Sequence, residues 1–144
     1  MKKVLGLLAL VCIALFITGC ASGTQFSSAQ GTFPPVGQDL GRVFFYRTSI
    51  LGAAIQPDVK LNGEKVGSAK PKGFFYVDRP AGAYKVETST EVTRTLSFTL
   101  EKNQTRYVRL NISMGFFAGH VYPELVDTAT AEKEIAACKS GDAK

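Results

Sequence analysis

Tryptophan is absent from this 144-residue chain, histidine occurs once and cysteine three times. Each shortage removes a class of chemistry. One histidine, His120, with few cysteines and scattered acids, supplies neither zinc-ligand spacing nor a calcium loop of alternating Asp and Asn, so metal ligands and cofactors are expected to be none. No serine sits in a nucleophile-elbow pattern, and no glycine-rich phosphate loop precedes a helix. The basic residues are dispersed, with Lys70 and Lys72 the closest pair beyond the N-terminus. A phosphate-tracking stripe is therefore missing, and nucleic acid is not an expected partner. Asp58, Glu64, Asp78, Glu87 and Glu91 fall beside turns or on presumed wet faces, which does not suit the paired carboxylates of glycoside chemistry.

What is present begins at the N-terminus. Lys2 and Lys3 precede an apolar run from Val4 to Phe16, the basic region and short apolar region of a secretory signal peptide, too short to span a bilayer comfortably as a permanent helix. The run closes on Ile17-Thr18-Gly19-Cys20, an ending that resembles the bacterial lipobox. That resemblance implies a lipoprotein signal peptide over residues 1–19, lipidation of Cys20 as the mature N-terminus, and a cell-envelope protein attached to the membrane through an N-terminal lipid anchor. The alternative is an ordinary signal peptide with a chance cysteine at its boundary. Ala21, in place of the aspartate that resembles an inner-membrane retention signal, favours the outer membrane, facing the periplasm.

Without Lys2 and Lys3 the 17 basic residues become 15 against 12 acids, so the mature charge is only weakly positive. Cys12 leaves with the signal and Cys20 is taken by the lipid. Cys138 is then a lone thiol with no intrachain disulfide partner. Ala131, Ile135 and Cys138 fall at helical spacing on one face, which predicts that this thiol is buried.

Residues 20–39 are rich in Ser, Gly, Thr, Gln and Pro, with Phe26 and Phe33 the only large apolar side chains. They read as a flexible tether beyond the lipidated cysteine, with a reach of about 20–25 Å. Residues 40–138 change character to short runs of Val, Phe, Tyr, Thr and Leu broken by Gly, Pro and Asn-Gly. Asn62-Gly63 predicts a two-residue hairpin turn. Leu96, Phe98 and Leu100 alternate with Thr95, Ser97 and Thr99, one face core and one wet. The pattern predicts an all-β fold, a compact antiparallel β-sandwich of about seven strands with a short C-terminal helix capped by Asp127, Thr128 or Thr130, a small barrel being the alternative. Residues 139–144 read as a disordered tail.

Gly41-Arg42-Val43-Phe44-Phe45-Tyr46-Arg47, Val59-Lys60-Leu61-Asn62-Gly63-Glu64, Gly73-Phe74-Phe75 and Pro80-Ala81-Gly82-Ala83-Tyr84-Lys85-Val86 together resemble the uncharacterised bacterial family called domain of unknown function 2846. The resemblance spans roughly Leu40 to Asp127. It implies a β-sandwich on an exported lipoprotein, with no catalytic residues to carry over.

Two apolar segments are candidates for an interaction surface. Met114, Phe116 and Phe117, ahead of His120, either fill the sandwich mouth, the reading the residues favour, or form an exposed tip for a partner or a membrane surface. Ile50, Leu51 and Ile55 flank Gly52-Ala53-Ala54 in a long connection that either binds or caps the core. His120 reads as a structural imidazole, and pairing it with Cys138 for nucleophilic chemistry is disfavoured. Arg47, Arg79, Arg94, Arg106 and Arg109 would hold an acidic glycan only if one sheet face gathered them. The expectation is a noncatalytic envelope lipoprotein whose sandwich contacts another envelope component, with an envelope protein partner in view. The alternative is a small-ligand, peptidoglycan or lipid-binding module, and an enzyme is third.

Overall fold

The run Val43-Phe44-Phe45-Tyr46 is apolar at every position, so both faces of the strand it forms have to be covered. The structure, a computed structural model describing residues 20–115 and 119–141, places it in the middle of a sheet. This strand, β1 (Leu40–Tyr46), is followed by β2 (Asp58–Leu61), β3 (Glu64–Ser68), β4 (Gly73–Pro80), β5 (Gly82–Ser89), β6 (Thr93–Leu100), β7 (Thr105–Met114), β8 (Gly119–Val126) and the two-residue β9 (Lys139–Ser140). A short helix α1 (Phe26–Ala29), continued by a 3-10 turn over Gln30–Thr32, precedes β1, and α2 (Thr128–Ile135) follows β8.

The strands form two sheets in the orders β8-β7-β1-β4-β9 and β3-β2-β5-β6, the β-sandwich expected. Most pairings are antiparallel, but β1 runs parallel to β7 (Arg42 opposite Thr105) and β4 parallel to β9. The hairpin between β2 and β3 turns on Asn62 (φ 50°) and Gly63 (φ 85°), both in the left-handed region that a two-residue turn requires. The Asn62 side-chain carbonyl also accepts from the Lys85 N–H at 2.7 Å, tying the turn to β5.

Between the sheets lies one core, with Val43, Phe45, Val59, Val86, Val108, Leu110 and Val121 among its members. Phe98 and Leu100 face into it while Thr95, Ser97 and Thr99 are exposed, as the alternation predicts. A second core lies on the outer face of the first sheet, where Phe44, Tyr46, Phe74 and Tyr107 meet Phe26 from α1 and Ala131, Ile135 and Cys138 from the C-terminal segment. Asp127 caps α2, its carboxylate accepting from the Thr130 N–H at 3.0 Å. Cys138 is buried, on the helical face predicted.

Two expectations are corrected. Residues 20–39 are not a free tether. Phe26 is buried, packed edge-on to Phe44 and Phe74 at centroid distances of 5.4 and 5.1 Å, and Phe33 meets Tyr76 at 5.3 Å. Two aromatic anchors repay the ordering of the polar residues between them. The Arg42 guanidinium, paired bidentately with Asp78 at 2.7 and 2.8 Å, also donates to the Pro34 carbonyl at 3.0 Å and pins the end of the segment. Nor are residues 139–141 a loose tail: Lys139–Ser140 pairs with the start of β4, and Ala21 to Phe26 bonds along its other side, with Ser140 N–H to Thr24 and Phe26 N–H to Cys138 both at 2.8 Å. The predicted signal peptide over residues 1–19 and the last three residues of the predicted tail lie outside the described residues.

Candidate functional site

Strand direction decides which loops share an end of the sandwich. Tyr46, the last residue of β1, stands opposite Phe74 near the start of β4 and beside Arg109 on the way to the end of β7. The β1–β2 connection, the start of β4, the β7–β8 hairpin and, across the sandwich, the β5–β6 turn therefore lie at one end. Thr90, in that turn, confirms the last placement: its hydroxyl is 3.2 Å from Nδ1 of His120 near the start of β8.

Arg47 organises this end. Its side chain is fully buried, and the guanidinium donates to the carbonyls of Ile55 (2.7 Å), Ala69 (2.8 Å), Gly52 (3.0 Å) and Leu51. A flat fork with five donors can serve several carbonyls at once, which is why arginine rather than lysine suits a buried position with no carboxylate. The bonds fold the β1–β2 connection back on itself. Ile55 packs against the inter-sheet core, and Gly52 (φ 60°) sits so close to Ile112 that a Cβ there would come within 2.5 Å of Ile112 Cδ1. The loop interior is thus filled. Ile50 and Leu51, at its crest, are left 63% and 50% exposed.

Three of the sequence candidates are exposed at this end. Ile50 and Leu51 on the β1–β2 connection and Met114 (65% exposed) at the end of β7 are exposed at this end, as is Val92 (45%) in the β5–β6 turn. Ile55 turns inward and caps the core, and His120 is half-buried against Thr90. Phe116 and Phe117 lie outside the described residues. Val92 was missed in the sequence because nothing local relates residue 92 to residues 50 or 114; only the strand order does.

Cys20 opens on the same end. The Ala21 N–H donates to the Pro71 carbonyl at 3.3 Å, and Ala21 is buried beside Gly73, while Cys20 itself is exposed. Burial lowers the Arg47 pKa. Lys72, on the turn before β4, and Lys139, whose N–H donates to the Lys72 carbonyl at 2.8 Å, are exposed at this end.

The remaining candidates do not assemble. Cys138 lies in the second core, on the opposite face of the first sheet from the inter-sheet core, with its thiol 3.7 Å from the Arg47 carbonyl; burial, and Glu134 nearby, push its pKa up to about 11 against the opposing charge of Lys72. His120 is not among its contacts. The arginines disperse: Arg47 is buried under the β1–β2 connection, Arg79 pairs with Glu64 at the far end, Arg109 with Glu124 and Glu134, and Arg106 with Gln104. Among the described residues no group of three or more His, Cys, Asp or Glu is placed to hold a metal ion, and no helix is long and apolar enough to cross a membrane.

Residues 37–121 match the family described as Protein of unknown function (DUF2846). An uncharacterised protein of Haemophilus influenzae is 24% identical over 139 residues, covering 93% of this chain and 83% of that protein. No solved structure matches.

Proposed function

The chain belongs to the DUF2846 family, and from that premise we propose that it is a noncatalytic envelope lipoprotein, anchored through Cys20, whose sandwich contacts another component of the cell envelope. The observation that carries this reading is the placement of Cys20: it is exposed, directly before the buried Ala21, and closes the residues that resemble a lipobox. A diacylglycerol thioether can be accommodated there without disturbing a buried side chain. The organisation of the body also favours binding over chemistry. Its buried arginine serves backbone carbonyls, burial raises the pKa of its buried thiol, and four of the five large apolar residues exposed among the described residues lie at one end, Tyr122 in the middle of β8 being the exception.

The test compares wild type with Cys20→Ser by intact mass and membrane fractionation, followed by crosslinking in cells. A lipid-sized mass at Cys20, loss of membrane association in the variant and recovery of a specific envelope partner are expected. Soluble, unmodified wild-type protein would remove the anchor, and crosslinking that recovers nothing specific across growth conditions would remove the envelope contact.

A further inference from the structure

A lipid anchor on a free tether says nothing about how a domain faces the membrane. Here the chain between Cys20 and the body has no slack, because Ala21 is buried and bonded to Pro71, and Gly23 and Phe26 are bonded along β9. One residue spans at most about 3.6 Å, so acyl chains on Cys20 would hold the body against the bilayer surface instead of some 20 Å above it. Cys20, next to the Ala21 N–H that donates to the Pro71 carbonyl, stands at the end of the sandwich where Ile50, Leu51, Val92 and Met114 are exposed.

Resting on the lipid-anchor reading, we infer that this end is a membrane-seating surface, with Ile50, Leu51 and Met114 entering the headgroup region of the phospholipid bilayer that receives the Cys20 acyl chains and Lys72 and Lys139 facing its phosphates. Exposed apolar side chains with lysines at the same end of a domain suit the headgroup region, where the apolar groups meet the acyl boundary and the ammonium groups meet phosphate. Arg47 makes the crest rigid: it holds the carbonyls of Leu51 and Gly52, so Ile50 and Leu51 cannot fold back to bury themselves. Val92 is flanked by Glu91, a carboxylate that keeps this turn level with the headgroups while the crest goes deeper. The far end, with Ala81, the Asn62-Gly63 turn and the Lys102–Asp39 ion pair, then points away from the membrane.

Because the chain has no tryptophan of its own, a single introduced one reports its surroundings alone. The full-length protein, matured in cells and purified in detergent, is reconstituted into phosphatidylethanolamine–phosphatidylglycerol vesicles with brominated acyl chains, as Leu51→Trp, Met114→Trp and, for the far end, Ala81→Trp. Acylation is checked by intact mass and folding by circular dichroism. The expected result is a blue shift and a loss of emission for Leu51→Trp and Met114→Trp in brominated vesicles, with Ala81→Trp unchanged. Acylated protein that floats with the vesicles while all three emit alike overturns the seating and leaves the anchor standing. Shielding of Leu51→Trp in native membranes but not in pure lipid means that a protein covers this end, and also overturns it. Absence of the acyl mass overturns the anchor, and the seating with it.

Discussion

The Tyr46 hydroxyl, on the central strand, donates a 2.6 Å hydrogen bond to the carboxylate of Glu134, on the last turn of α2. The other carboxylate oxygen of Glu134 accepts from Arg109 of β7 at 2.6 Å, so one side chain ties the helix to two neighbouring strands. Burial, and then the Glu134 contact, raise the Tyr46 pKa.

Glu134→Ala removes the acceptor for Tyr46 and one of the two carboxylates serving Arg109. A loss of about 2 kcal/mol is expected, against about 1 kcal/mol for Tyr46→Phe, and the double variant should lose less than the total of the two because they share a bond. Urea denaturation of the four proteins measures this; strict additivity would show that the bond contributes nothing.

Arg47→Lys keeps the charge and abandons the fork. An ammonium cannot reach the carbonyls of Leu51, Gly52, Ile55 and Ala69 together, so a loss of about 2–4 kcal/mol is expected, with faster amide hydrogen exchange at Ile55, whose N–H bonds to Gly52 inside the loop. Unchanged exchange there would mean that the loop holds its shape without the guanidinium.

Phe26→Ala separates a packed N-terminal segment from a spacer. If residues 20–39 were a tether the change would be silent; with Phe26 buried against Phe44 and Phe74 it should cost about 3–5 kcal/mol in chemical denaturation.

Cys138 is expected to resist maleimide at neutral pH in the folded protein and to react on denaturation, as peptide mapping by mass spectrometry would show. Its raised pKa also has a thermodynamic sign. The folded state favours the neutral thiol, so the contribution is complete below the unfolded value near 9 and is lost as the pH rises through about 11. On the order of 2 kcal/mol should disappear over that window. In Cys138→Ala the stability curve should be flatter between those limits, and an unchanged slope would assign the alkaline loss to Tyr46 and Tyr107 instead.

Local signals carried much of the fold. Asn62-Gly63, the alternation from Leu96 to Leu100 and the face shared by Ala131, Ile135 and Cys138 each act over a few residues, where backbone geometry decides the outcome. The packed N-terminal segment was hidden by its polar composition, although a sign of it existed: Phe44, Tyr46, Phe74 and Tyr76 occupy the positions between core residues, too apolar a face to be left wet. Phe26 and Phe33 cover it together with Ala131, Ile135 and Cys138. The apolar end of the sandwich was legible residue by residue at Ile50, Leu51 and Met114 but not as a surface, since residues so far apart in sequence meet only through strand order.

The parallel pairing of β1 with β7 sets the order in which the chain becomes safe. β2 with β3, β5 with β6 and β7 with β8 pair across short connections, whereas Arg42 meets Thr105 more than sixty residues later and Phe44 waits for Tyr107 to stack on it at 5.4 Å. Pairings of such high sequence separation are slow to form, and a strand apolar on both faces is a template for aggregation while it waits. A chain stopped short of β7 would keep the local connections already made and leave its stickiest segment open. Val43 to Tyr46 is therefore covered on both edges only once β7 has been made.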